Sequence, residues 1–203
     1  MSGAENRRDN AQFYATARKA MIDSQLRTSG VNADFVLNRM RSVAREDFVP
    51  EGLRASAYVD RSLKFPDGGV MAPPVFYGMM LEEARPTASD HVLIVDGGSG
   101  YLGALATPLA GSVTTVTPAD AFKEANGDTP FTLVLIDGAI EEMPAALVRR
   151  MADDARVVTG LVRDGVTRIA RGRKSGDGVA FAPLGELGIP RLTQFDRKKA
   201  WQF

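Results

Sequence analysis

The sequence predicts one α/β domain with a mostly parallel β-sheet, N-terminal helices and a C-terminal antiparallel ribbon. Three segments, HVLIV (91–95), FTLVLID (131–137) and ARVVTGLV (155–162), are almost wholly apolar, which is typical of strands buried on both faces of a parallel sheet. Segments with helical periodicity separate them, as in α/β proteins. The 203 residues are enough for a single such domain. We assign N-terminal helices and a loop region to residues 1–90, and the sheet core and ribbon to residues 91–203.

Three helices are expected before the sheet. Apolar residues recur three and four positions apart over residues 11–27, 32–43 and 75–84. Gly30 is expected to end the first of these helices. Residues 48–69 contain prolines and a glycine pair and are expected to form a loop.

The sheet region is read in the same way, from apolar runs and breakers. The remaining elements predicted in chain order are a glycine turn at 96–100, a helix over 101–110 bent near Pro108, a strand over 112–116, a helix over 143–152 and two antiparallel strands over 165–173 and 178–185.

The composition excludes several classes of function. Lys+Arg and Asp+Glu each number 25, so the chain lacks the basic excess expected of a nucleic-acid-binding protein. Cysteine is absent, which excludes disulfides and thiolate chemistry, and a single histidine, His91, cannot build a multi-histidine metal centre. We predict no metal site. The chain has neither a signal-peptide pattern nor an apolar run of membrane-spanning length, so we expect a cytoplasmic protein without membrane contacts.

The glycine turn is the clearest candidate for a binding site. Residues 98–103 satisfy G-x-G-x-x-G between a strand and a helix, where backbone N–H groups can hold a nucleotide-type cofactor. Such cofactors need a carboxylate at the end of the next strand to hold the ribose hydroxyls. That position is Thr117, and Asp120 lies three residues further on. A tight turn that binds nothing remains the alternative.

Several segments also match a known family, in the same order along the chain. They are AREDFVPEGLRASAYVD (44–60), GGVMAPP (68–74), VLIVDGGSGYLGALATPLAGSV (92–113), TPFTLVLIDGAIEEMPAAL (129–147) and the RVVTGLV strand. In these segments the chain resembles protein-L-isoaspartate O-methyltransferases over about residues 17–170. The tail FDRKKAWQF is untypical and suggests a short alphaproteobacterial-type branch.

The resemblance implies a Rossmann-like fold that binds S-adenosylmethionine and methylates the α-carboxyl of L-isoaspartyl residues in aged proteins. It implies a protein or peptide as the substrate. The cofactor positions that it implies are Asp96, Gly97, Gly98, Ser99, Gly100, Tyr101 and Thr117. We add Asp137, which ends a strand at the edge where ligands of open α/β sheets lie, although a helix cap is the role that we favour for it.

Departures from the family pattern fall at the expected site. The substrate-side loop of the family corresponds to residues 70–74, and its active-site serine falls on Ala72. Asp96 stands where the cofactor loop of the family begins with glycine, and a carboxylate there would repel the carboxylate of the cofactor. Thr117 stands where the family has the acidic ribose ligand. No catalytic residue of the family is therefore intact.

The spacing of the chain also predicts that one strand of the family is deleted. Residues 117–130 are enough for one crossover between parallel strands but not for a helix, a strand and another helix. We therefore predict a protein whose S-adenosylmethionine-dependent methyl transfer is weak or lost. The alternative is an inactive descendant that binds or scaffolds a protein, and a nicotinamide enzyme is a more distant third.

Smaller features have two interpretations each. Asp60 matches a family position near the substrate-side loop, but it can equally cap a turn. Trp201 and Phe203 can dock on the core or on another chain. A basic ribbon can protect a sheet edge by its charge or bind an acidic partner. Its members are Arg168, Arg171, Arg173 and Lys174.

Overall fold

The computed structural model describes residues 3–124 and 129–197. Trp201 and Phe203 therefore lie outside the described residues, and their docking stays a prediction. In the part of the chain that is described, no helix is both long and apolar enough to cross a membrane.

The three N-terminal helices are present as expected from the apolar spacing. Helix α1 covers Gly3–Met21 and continues through a π turn and a 3-10 turn to Ser29, where Gly30 ends it with a left-handed φ of 88°. Helix α2 covers Asp34–Ser42 and helix α3 covers Pro74–Ala84. Proline at the first position of α3 fits a helix start, because that N–H has no partner within the helix.

The segment between α2 and α3 is a loop that contains two 3-10 turns and a small hairpin. The hairpin pairs β1 (Leu63–Lys64) with β2 (Val70–Met71) in antiparallel orientation. It holds the substrate-side loop (residues 70–74) directly before α3.

Six further strands form one sheet. In chain order the elements are β3 (His91–Val95), α4 (Tyr101–Ala106), β4 (Ser112–Val116), β5 (Phe131–Ile140), α5 (Ala145–Arg149), β6 (Met151–Arg163), β7 (Val166–Ser175) and β8 (Gly178–Glu186). The strand order is β4-β3-β5-β6-β7-β8. The first four of these in space are parallel, while β6, β7 and β8 form the predicted antiparallel ribbon.

Two helices are shorter than the sequence suggested. The helix predicted over 143–152 contains only α5, because Met151 pairs with Phe131 and begins β6. The helix predicted over 101–110 ends at Ala106 and continues as a 3-10 turn. Pro108 in that turn has no N–H to continue the α-helical pattern, which explains the change.

The strand order of the sheet agrees with the predicted loss of one strand. Among the described residues, β4 has β3 as its single strand neighbour and forms one edge of the sheet. Between β4 and β5 the structure describes one short 3-10 turn, Asp120–Phe122.

Each face of the sheet supports its own apolar cluster. In β3, the side chains of Val92 and Ile94 pack with the cluster that includes α1–α4. Leu93 and Val95 face the other way and pack with the cluster that includes α5. This alternation confirms that β3 is buried on both faces, so the turn that follows it begins at the carboxyl end of an interior strand.

Candidate functional site

The glycine turn (residues 96–100) leaves the carboxyl end of β3 and lies tightly against two other segments. The N–H of Val70 donates to the carbonyl oxygen of Gly97 at 2.9 Å. A Cβ at Gly97 would lie 2.6 Å from the carbonyl oxygen of Asp137, and one at Gly98 would lie 2.8 Å from the Cα of Gly69. Gly98 also has a φ of +112°. The turn therefore requires glycine for both its conformation and its packing.

The carboxylate of Asp96 binds its own turn. Its oxygens accept hydrogen bonds from the N–H of Gly98 at 3.1 Å and from the N–H of Gly100 at 3.0 Å. The hydroxyl of Ser99 accepts a further one from the N–H of Tyr101 at 3.2 Å. Any external carboxylate that uses Gly98 and Gly100 must therefore displace Asp96.

Ala72 lies in the fully buried part of the substrate-side loop, and its backbone makes two hydrogen bonds. Its N–H donates to the hydroxyl of Tyr77 at 3.1 Å, and its carbonyl accepts from Nη2 of Arg45. The side chain of Ala72 is a methyl group, and it is fully buried. The loop is thus firmly positioned but has no hydroxyl at the place where the family pattern has serine.

Arg45 is a fully buried cation that the sequence analysis did not single out. Its guanidinium lies between the rings of Tyr77 and Tyr101, 5.3 and 5.1 Å from their centroids. Nε donates to the carbonyl of Ala57 at 2.6 Å, while Nη1 has no hydrogen-bond partner in the described structure. Cation–π contacts stabilise a desolvated guanidinium, so Arg45 joins the substrate-side loop to the start of α4.

Asp137 lies at the centre of the site. Its side chain is buried, and its Oδ2 accepts a hydrogen bond from the hydroxyl of Tyr77 at 3.1 Å, while Oδ1 has no hydrogen-bond partner among the described residues. Burial, followed by the negative charge of Asp96, raises the pKa of Asp137 to about 7. Asp137 does not cap α5, which begins at Ala145 after Pro144 without a side-chain cap.

Thr117 and Asp120 bind each other. The hydroxyl of Thr117 donates to Oδ2 of Asp120 at 2.8 Å, and the N–H of Asp120 donates back to that hydroxyl at 3.2 Å. Asp120 also pairs with Lys123 at 2.6 Å. The carboxylate that the sequence analysis offered as a substitute ribose ligand, Asp120, is therefore already engaged in a local turn.

Asp60 is exposed, and the described structure shows no hydrogen bond or ion pair to its carboxylate. The turn-capping role considered for it is therefore wrong. Its role near the substrate stays a prediction.

Three cavities, of about 730, 690 and 420 Å³, lie elsewhere on the molecule, and none of them is lined by residues 96–101. The first lies at the carboxyl ends of β5 and β6, the second lies beside α5, and the third is lined by β6, β7 and β8. The glycine turn thus lies outside all three.

Solved structures show which class of fold this is. A PCMT chain from Plasmodium falciparum, crystallised in complex with S-adenosyl-L-homocysteine, has a TM-score of 0.66 at 15% identity, over 89% of this chain and 98% of that one. A second protein-L-isoaspartate O-methyltransferase structure has a TM-score of 0.69 at 14% identity, over 86% of this chain and 65% of that one. The chain thus has the Rossmann-like α/β fold of methyltransferases.

Sequence comparison identifies the family. The profile of protein-L-isoaspartate(D-aspartate) O-methyltransferase (PCMT) matches residues 16–125. The protein-L-isoaspartate O-methyltransferase from Koribacter versatilis is 31% identical over 169 residues, covering 71% of this chain and 76% of its own length. The one from Roseiflexus sp. (strain RS-1) is 30% identical over 203 residues, covering 84% and 93%. The chain belongs to the protein-L-isoaspartate O-methyltransferase family.

Proposed function

We propose that this chain is a protein-L-isoaspartate O-methyltransferase-type protein whose S-adenosylmethionine-dependent methyl transfer is weak or lost. The observation that supports this most directly is the pair of hydrogen bonds from Gly98 and Gly100 to Asp96. Those N–H groups lie in the loop that matches the cofactor loop of the family. These N–H groups therefore already have an anionic hydrogen-bond acceptor, the carboxylate of Asp96.

The energetic cost of using this turn can be estimated. A hydrogen bond to a charged group contributes about 1.5–3 kcal/mol, so two of them from Asp96 oppose an incoming carboxylate by several kcal/mol unless it replaces them fully. The negative charge of Asp96 and the partly ionised Asp137 add repulsion. We therefore expect the affinity for the cofactor to be reduced by about two orders of magnitude or more, at 1.4 kcal/mol per factor of ten.

The acceptor side is weakened as well. Ala72 supplies no hydroxyl to align a reacting carboxylate, and loss of one such hydrogen bond costs about one to two orders of magnitude in rate. When bound, S-adenosylmethionine supplies an already activated methyl group. The task left to the chain is alignment, and here it is performed by backbone positioning through Tyr77 and Arg45. Slow residual transfer to an isoaspartyl protein or peptide is compatible with this site.

The alternative is an inactive descendant that binds or scaffolds a protein. It is supported by the Thr117–Asp120 pair, which uses the remaining candidate ribose ligand in a local turn. Under this alternative, S-adenosylmethionine does not bind at all and the fold is kept for a protein partner.

The experiment is a methyl-transfer assay with labelled S-adenosylmethionine and an isoaspartyl peptide. The wild-type chain is compared with the triple variant Ala72→Ser, Asp96→Gly and Thr117→Glu, and folding is checked by circular dichroism. We expect the triple variant to be at least about tenfold faster than the wild type. Brisk wild-type turnover, or a folded triple variant that is no faster, would contradict the proposal. No turnover of the wild type together with no binding of cofactor would favour the alternative.

A further inference from the structure

Strand β8 forms an open edge of the sheet. Among the described residues, β7 is its single strand neighbour. From Gly178 to Gly185 the strand has no charged side chain, although exposed edges are usually protected by charge. Pro183 limits the edge available for pairing to about residues 178–182, because proline has no N–H to donate. This edge is unprotected over five residues.

The basic ribbon does not protect that edge. Its residues lie on β7, which runs between β6 and β8, so the edge-protection role considered for them is wrong. Two members lie on one face, each with a carboxylate partner: Arg168 pairs with Glu186 at 2.5 Å, and Lys174 lies 3.6 Å from Asp153. The other two, Arg171 and Arg173, lie on the opposite face by the alternation of a strand.

Arg171 and Arg173 are weakly paired. Nη1 of Arg171 lies 3.4 Å from Glu83, and the Arg171 side chain is 64% exposed. Nη1 of Arg173 donates to the backbone carbonyl of Asp154 at 3.1 Å, and no carboxylate pairs with it in the described structure. On this face of the ribbon, Arg173 therefore has no carboxylate partner in the described structure, and the partner of Arg171 is held at the surface.

The two arginines border a groove with a floor of small residues. Arg171 pairs with Ala182 and Arg173 pairs with Ala180 across β7 and β8, so all four lie on one face. They line the cavity of about 420 Å³ together with Arg156, whose charge is balanced by Asp90 at 2.6 Å, and with Glu83, the partner of Arg171. The alanine side chains of β8 leave the path from the guanidinium groups to the open edge clear.

We propose that β8 is a docking edge for an extended, carboxylate-bearing segment of a partner protein. The segment adds a strand beside residues 178–182 by backbone hydrogen bonds, and its carboxylates lie on the face of Arg171 and Arg173. An added strand would lie two strand spacings, about 9.5 Å, from β7. An arginine side chain on β7, extended over the small alanines of β8, can meet an acidic side chain of the added strand across this distance.

Charge complementarity selects this occupant. A second copy of the chain, paired edge to edge, would bring the same arginines to the same face, which is repulsive. The docking edge on β8 lies four strand positions from β3 in the order β3-β5-β6-β7-β8, and the glycine turn directly follows β3. This inference is therefore independent of the proposed methyl transfer.

The test is fluorescence anisotropy with the full chain and a labelled nine-residue probe that alternates valine and glutamate. Matched probes replace glutamate by glutamine or methylate every backbone nitrogen. We expect the acidic probe to bind at least about tenfold more tightly than either matched probe, and its binding to weaken as salt is raised. The double variant Arg171→Gln, Arg173→Gln should bind the acidic probe about tenfold more weakly than the wild type. The control variant Arg54→Gln, Arg163→Gln, which loses the same number of positive charges elsewhere, should bind it within about twofold of the wild type.

Several results would overturn the inference. The inference fails if the acidic probe does not bind at millimolar concentration. It also fails if the double variant binds that probe as tightly as the wild type does, or if the N-methylated probe binds as tightly as the acidic probe. Sedimentation of the purified chain completes the experiment. A dimer that excludes the probe would make a second copy the occupant, and the acidic partner would be wrong.

Discussion

The hydroxyl of Tyr77 donates a hydrogen bond to Oδ2 of Asp137 at 3.1 Å while it accepts one from the N–H of Ala72. One side chain of α3 therefore connects the substrate-side loop to the carboxyl half of β5. Burial, followed by the negative charge of Asp137, raises the pKa of Tyr77 well above its usual range, so its hydroxyl stays protonated and available to donate.

Removing this hydroxyl should destabilise the fold. Tyr77→Phe leaves the N–H of Ala72 and an oxygen of Asp137 buried without a partner, at about 1–3 kcal/mol for each group. We expect the free energy of unfolding in urea to fall by about 2–6 kcal/mol. Tyr14→Phe is the control, because the Tyr14 hydroxyl makes no hydrogen bond in the described structure. Equal stability of the two variants would show that the link through Tyr77 is unimportant.

Asp137 should make stability depend on pH near neutrality. Because its pKa is about 7 in the fold and about 4 in the unfolded chain, the folded state holds a proton that the unfolded state has lost. Its contribution is fully present below pH 4 and is lost as the pH rises towards and through 7, with a slope of up to about 1.4 kcal/mol per pH unit. Asp137→Asn should remove this slope.

The measurement is urea denaturation of the wild type and Asp137→Asn at several values between pH 5 and pH 9. The difference between the two curves isolates this residue, since other titrating groups are common to both. Asp47→Asn, a change at an exposed aspartate, should follow the wild type. A wild-type curve parallel to that of Asp137→Asn would mean that the pKa of Asp137 is not raised.

Alanine substitutions at two glycines should distinguish the cost of backbone strain from the cost of a steric clash. Gly98 and Gly165 both have a positive φ, of +112° and +76°, but a Cβ at Gly98 meets the Cα of Gly69 at 2.8 Å whereas one at Gly165 meets no atom within 4 Å. Alanine should cost about 1 kcal/mol at Gly165 and about 1–3 kcal/mol more at Gly98. Thermal or urea unfolding of the two variants checks this, and equal losses would mean that the contact with Gly69 is not tight.

Much of the sheet could be predicted from local sequence. HVLIV and FTLVLID are apolar on both faces, and the structure places both in the middle of the sheet. Gly30, as expected, ends the first helix. The end of α5 was mispredicted, because Met151 is equally suited to a helix or a strand and its pairing with Phe131 decides the matter.

The network around the site could not be predicted, because it joins residues that are distant in sequence. Arg45, Tyr77 and Asp137 come from three separate elements, and nothing in the local pattern of any one of them points to the others. The sequence indicated that Asp96 would repel a cofactor carboxylate. It did not indicate that Asp96 would bind the N–H groups of its own turn, which depends on backbone geometry.

The most direct test of the account is titration calorimetry with S-adenosylhomocysteine. Wild-type chain is compared with Asp96→Asn, which keeps an acceptor but removes the charge, and with Asp96→Gly, which removes both. Asp47→Asn controls for net charge. We predict that Asp96→Gly binds at least about tenfold more tightly than the wild type, with Asp96→Asn in between. Micromolar binding by the wild type that neither substitution changes would contradict the claim that Asp96 blocks the N–H groups of the glycine turn.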